Sequence, residues 1–103
     1  MDDQEEIRRV ERGARLREER ERLNLTQEYM ANAGGVKILA HQNYEKGKRS
    51  PDAEYLSRVS ALGVDVLYVL TGIHSNETPR LSSMKDDIQQ VITNLSGILD
   101  KIP

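Results

Sequence analysis

Residues 16–36 read LREERERLNLTQEYMANAGGV, and residues 43–72 read NYEKGKRSPDAEYLSRVSALGVDVLYVLTG. The first stretch holds a helix end, a cap, a short helix and a glycine break in 21 residues. Asn24 suits the close of one helix, and Thr26 is placed to cap a second over 27–33, with Glu28 near its positive end. Gly34 and Gly35 break that helix, and Val36 follows as an apolar plug between two helices. A third short helix is expected over 37–45, stopped by Gly47.

The second stretch continues in the same way. Ser50 before Pro51 reads as an N-cap with proline at the first helical position, which predicts a fourth helix over 51–62 with Tyr55, Leu56, Val59 and Leu62 on one face. Gly63 ends it, Asp65 caps a fifth helix over 66–70, and Gly72 stops that one. Upstream, residues 5–23 form one charged helix whose sparse apolar positions are Ile7, Val10, Ala14, Leu16 and Leu23. The fold class expected is all-α, a five-helix bundle at 13–72 after a charged helical extension at 1–12.

Composition supports that reading. A chain of 103 residues accommodates one modest core plus an appendage. Four Tyr are its only aromatics, and strand-type alternation is rare. The absence of Cys rules out disulfides and thiolate metal sites. No run approaches the ~18 apolar residues of a membrane span, and the start MDDQEE is the wrong flank for a signal peptide, so a soluble cytoplasmic protein is expected. Neither a nucleophile with its base nor a phosphate loop is present, which points away from an enzyme and from any cofactor.

The net charge of −2 is mildly acidic, but its distribution is uneven. Acids crowd positions 2–6, whereas residues 8–22 carry seven Arg against four Glu, and Lys37, Lys46, Lys48 and Arg49 face only Glu45 in their stretch. Two basic segments beside a helix–turn–helix fit a surface that meets the DNA major groove.

Taken with their spacing, LTQ, GV, YEKGKRSP and ALGVD make residues 13–72 resemble the lambda-repressor-like helix-turn-helix family of the Cro/CI or XRE type. The resemblance implies that 37–45 is the recognition helix and that the chain binds double-stranded DNA. It implies phosphate contacts from Gln27 and from Lys46, Lys48 and Arg49, and a structural ion pair between Arg20 and Glu45. Base contact then falls to Lys37, Ile38, Leu39, Gln42 and Asn43, of which Gln and Asn suit adenine and Lys suits guanine or phosphate. GVDVLYVLTG also resembles phage regulators, implying a phage or prophage origin, and the regulator expected is a repressor, with an activator as the alternative.

The recognition segment departs from the family where Ser or Thr usually opens it, for here it begins Lys37, Ile38, Leu39, Ala40. Three readings follow: the aliphatics pack on thymine methyl groups, one of them turns into the core, or the helix binds a protein. His41 is expected as a partly buried bundle residue, and His74 lies in a linker over 73–78 with no ligand cluster around it, so no metal is expected.

Beyond the linker, Leu81, Ile88, Leu95 and Ile102 recur every seven residues, with Met84, Val91 and Ile98 offset by three and Ile92 and Leu99 widening the stripe. Thr78 before Pro79, or Ser83, is placed to start this helix over 79–103, and its apolar stripe predicts a homodimer, the alternative being a helix folded back on its own bundle in a monomer. The function expected is a regulator that binds an inverted-repeat operator as a dimer. The competing reading is a protein-interaction module, antitoxin-like or an antirepressor partner, using the same two helices.

Overall fold

The computed structural model describes residues 3–76 and 79–101, the side chains of 79–83 excepted. The described residues form six helices: α1 (Asp3–Arg22), α2 (Gln27–Gly34), α3 (Ile38–Glu45), α4 (Ala53–Ser60), α5 (Val66–Thr71) and α6 (Pro79–Leu99). The fold is all-α. The chain divides into two units, one ending at Ile73 and the other beginning at His74.

In the first unit the caps follow from the side chains. Thr26 accepts the Tyr29 N–H at 3.0 Å, and Asp65 accepts the Tyr68 N–H at 3.1 Å. Gly35 and Gly72, at φ 76° and 79°, close α2 and α5 in the left-handed conformation that glycine adopts without a steric penalty. The fourth helix differs from expectation. Residues 50–52 stay outside it, and Asp52 is the N-cap, its carboxylate accepting the Tyr55 N–H at 2.9 Å. A carboxylate three residues before a free amide displaces the Ser50–Pro51 start, and α4 ends at Ser60, two residues before the expected Leu62.

The core is built from Leu16, Met30, Tyr44, Tyr55, Val59, Val64 and Val69, with Leu23, Val36, Leu56 and Leu62 packed around it. Tyr44 and Tyr55 meet edge to face with ring centroids 4.9 Å apart, an arrangement that aromatic quadrupoles favour. Helix α1 buries Gly13, Leu16 and Glu19, whereas Ile7, Val10 and Ala14 are exposed. Its inward face is thus narrower and less apolar than the sequence suggested. A buried carboxylate is tolerable there because Glu19 binds Arg22 through two bonds of 2.8 Å and accepts the Asp65 N–H at 2.8 Å. The Arg22 hydrogen bonds hold the Glu19 carboxyl below the usual carboxylate range.

The second unit is dominated by α6. Met84, Ile88, Val91, Ile92, Leu95, Ile98 and Leu99 are all exposed, by 51% or more. The Leu81 side chain and Ile102 lie outside the described residues, as does Thr78.

Candidate nucleic-acid interface

Helix α3 begins without a side-chain cap. Lys37 occupies the N-cap position in extended backbone, makes no capping bond, and is exposed. The next two residues leave the bundle: Ile38 is 44% and Leu39 64% accessible. Neither joins the core. One turn on, His41 is completely buried, more deeply than the sequence suggested. Periodicity explains the difference, since Ala40, His41, Tyr44 and Glu45 share the inward face and Ile38 and Leu39 do not.

The inward polar face of α3 is the centre of a hydrogen-bonded chain. Arg20 donates from Nε to Glu45 Oε2 at 2.7 Å and from Nη2 to Oε1 at 3.1 Å. A third Arg20 bond reaches the Leu25 carbonyl at 2.9 Å. His41 Nε2 bonds the same Glu45 carboxylate, and Nδ1 lies 2.7 Å from the Tyr55 hydroxyl. A carboxylate only accepts, so Nε2 carries a hydrogen; in the neutral ring Nδ1 then accepts from Tyr55. Among the described residues, no buried side-chain nitrogen or oxygen lacks a partner.

This network sets the charge state of Glu45. Burial alone would raise its carboxyl, but hydrogen bonds from His41 and Arg20 outweigh that effect and bring it down to about 2. Burial also pushes the Tyr55 hydroxyl up, so it stays a donor at neutral pH. The one carboxylate on α3 is thereby neutralised from within, and the outer face of the helix presents no acid.

Two amides extend the chain toward the surface. Gln27, the first residue of α2, donates to Glu45 Oε1 at 3.3 Å and accepts from Gln42 at 3.3 Å. Gln27, Gln42 and Asn43 are half-buried. The structure thus brings Arg20, Gln27, Gln42 and Glu45 into one cluster. Gln27 also opens a helix whose first-turn amides lack intrahelical acceptors, the positive end that favours an anion.

Lys46, Lys48 and Arg49 are exposed on the loop after α3. The loop backbone is fixed on the inside: the Lys48 and Arg49 amides donate to the Asn43 carbonyl at 2.9 and 3.3 Å, and Arg9 Nε donates to the Gly47 carbonyl at 2.7 Å. Gly47 is buried at φ 74°, and a Cβ there would lie 2.5 Å from Val10 Cα. Only glycine lets this loop seat against α1 while its three cations face outward.

Sequence reasoning missed the roles of His41, Tyr55 and Glu19. A signal for the first was present, since positions 41 and 45 stand one helical turn apart and therefore share a face. Tyr55 gave no such signal, because its partner lies on another helix. The nine apolar positions assigned to the terminal stripe belong to the second unit. Among the described residues, no group of three His, Asp or Glu side chains is placed to hold a metal ion, and no helix is long and apolar enough to cross a membrane.

Comparison with known proteins agrees with the fold. The clp gene regulator ClgR from Corynebacterium glutamicum has a similar crystal structure, with a TM-score of 0.56 and 26% sequence identity over 90% of each chain. No curated protein matches the chain. A family model described as helix-turn-helix matches residues 16–68, which span the end of α1, α2, the glycine turn, α3, α4 and the first half of α5. Covering more than half of the sequence and agreeing with the fold, that match places the chain in the XRE-type helix-turn-helix family.

Proposed function

We propose that the protein is a DNA-binding transcriptional regulator, a repressor that occupies an inverted-repeat operator as a homodimer. The observation that carries this reading is the outward face of α3, free of acid, with Gln27 packed against Gln42 and Glu45 and with the exposed Lys46, Lys48 and Arg49 on the loop that follows. A helix of eight residues fits the major groove, and in this reading Gln27 and the loop cations meet backbone phosphates beside it. The similarity to a gene regulator supports the same function.

The division of labour proposed follows the chain. Residues 13–72 bind DNA, 73–78 link, and 79–103 join two copies through the apolar stripe of α6. Burying each large side chain of that stripe would contribute ~1.5–3 kcal/mol, ample for a stable pair of helices. Two recognition helices in a symmetric dimer require half-sites about one helical turn apart.

The test is binding of the purified protein to DNA from upstream of its own gene, against random DNA, at two salt concentrations. Site-specific binding that weakens by ~10³–10⁵ between 50 and 200 mM salt is expected for several phosphate contacts. Equal affinity for both DNAs, or no salt-sensitive binding, would refute the regulator.

A further inference from the structure

The start of the recognition helix carries the two exposed aliphatic side chains, and solvating them in the free protein is unfavourable without a compensating contact. Ile38 lines an open groove between α2 and α3 together with Ala31 and Val36, and Leu39 follows it on the exposed face of α3. The hydrogen-bonding side chains that would read base edges are limited: Gln42 already donates to Gln27, and Asn43 is half-buried. No hydroxyl opens the helix, since Lys37 makes no capping bond.

Resting on the DNA-binding reading, we propose that Ile38 and Leu39 form a methyl-reading site, which recognises the C5-methyl groups of thymine in each half-site. In the major groove the thymine methyl is the apolar feature by which base pairs differ, so it is the group an aliphatic side chain can distinguish. The surroundings identify DNA rather than a protein as the occupant. The patch adjoins the exposed Lys37 at the start of α3, the loop that follows the same helix carries Lys46, Lys48 and Arg49, all exposed, and the carboxylate of α3 is buried and paired. A polyanion with an apolar group in its groove complements that surface. Of the residues lining the adjacent groove, Glu28 is the only acid, and it belongs to α2.

The full-length protein selects its preferred sequence from random duplexes, and each thymine of that sequence is then replaced by deoxyuridine, which removes one methyl and leaves base pairing intact. Loss of one contacted methyl should weaken binding about fourfold, and about sixteenfold when both half-sites are changed. The Ile38→Ala/Leu39→Ala variant should bind thymine and deoxyuridine duplexes equally; both positions are on the surface, and circular dichroism checks that the helices persist. Ile38→Val and Leu39→Met should retain the preference. Equal affinity of the unaltered protein for both duplexes overturns methyl reading while leaving sequence-specific binding intact. Undiminished discrimination by a folded double alanine variant also overturns it. If selection returns no preferred sequence, the methyl site and the regulator function fall together, and a protein surface becomes the account of these two residues.

Discussion

Arg20 and Glu45 meet side by side, with bonds of 2.7 and 3.1 Å that tie α1 to the last turn of α3. Both side chains are largely shielded, at 13% and 4% accessible, and the same carboxylate also holds His41 and Gln27. Removing the guanidinium with Arg20→Ala leaves a buried charge short of its two-bonded partner, for which a loss of about 3–5 kcal/mol is expected. Urea denaturation should show the midpoint falling with an unchanged slope. A loss under about 1 kcal/mol, typical of exposed pairs, would mean that the network is not formed in solution.

The same cluster predicts an acid dependence of known sign. The Glu45 carboxyl lies at about 2 in the folded protein against an ordinary value of 4.5. A lowered value means that the unfolded chain binds the proton more tightly, so the contribution is fully present above pH 4.5 and is lost as pH falls toward about 2. Its size is on the order of 3 kcal/mol. Comparing the protein with Glu45→Gln in urea at successive pH values should show the stability difference shrinking through that window. A difference constant down to pH 2 would contradict the assignment.

Gly13 gives a prediction opposite to helix propensity. Replacing a mid-helix glycine by alanine ordinarily stabilises by about 1 kcal/mol. Here the new methyl would collide with the backbone carbonyls of Tyr44 and Glu45, the latter at 2.7 Å, because α1 and α3 pack with almost no side chain between them. Gly13→Ala should therefore destabilise by about 1–3 kcal/mol, as overpacking does. A raised melting temperature would show that the helices can separate without cost.

What could be read before the structure was local. Thr26, Asp65, Gly35 and Gly72 announce their helix ends because the capping group and its target lie within a few residues of each other. The exposed cations at 46–49 were legible for the same reason, as a charge run between two breakers. What could not be read depends on neighbours distant in the chain. Glu19 looks like one more solvated acid until Asp65, 46 residues on, supplies its amide. Gly13 looks like a weak point in a helix until the carbonyls of α3 arrive against it. Asp52 displaced Ser50 as a cap through a competition between adjacent candidates that spacing alone leaves open.

The loop cations should act on affinity without acting on sequence preference. Lys48 and Arg49 are exposed and their backbone is fixed through the Asn43 carbonyl, so truncating either side chain leaves the loop in place. Each alanine variant should weaken binding to all duplexes alike and lower the slope of log affinity against log salt by about 1. Fluorescence anisotropy titrations over a salt series measure both quantities. A variant that changes which sequence is preferred, with its salt slope intact, would place that residue on a base rather than on a phosphate.

The last helix offers a direct test of the proposed dimer. Ile88 and Leu95 stand seven residues apart on α6 and are 58% and 55% accessible, so each must find a partner surface for its apolar area to leave water. In a paired helix an aspartate at either position would be buried without a counter-ion, whereas on a lone helix it would simply be solvated. The double variant Ile88→Asp/Leu95→Asp should therefore halve the mass seen by sedimentation equilibrium, from two chains to one. The bundle is a separate unit ending at Ile73 and should keep its fold, as followed by the circular dichroism of α1–α5. Operator binding should fall steeply, because each monomer then holds a single half-site without the second one held nearby at high effective concentration. An unchanged mass in the variant would locate self-association elsewhere, and a monomeric unaltered protein would remove the inverted repeat from the mechanism.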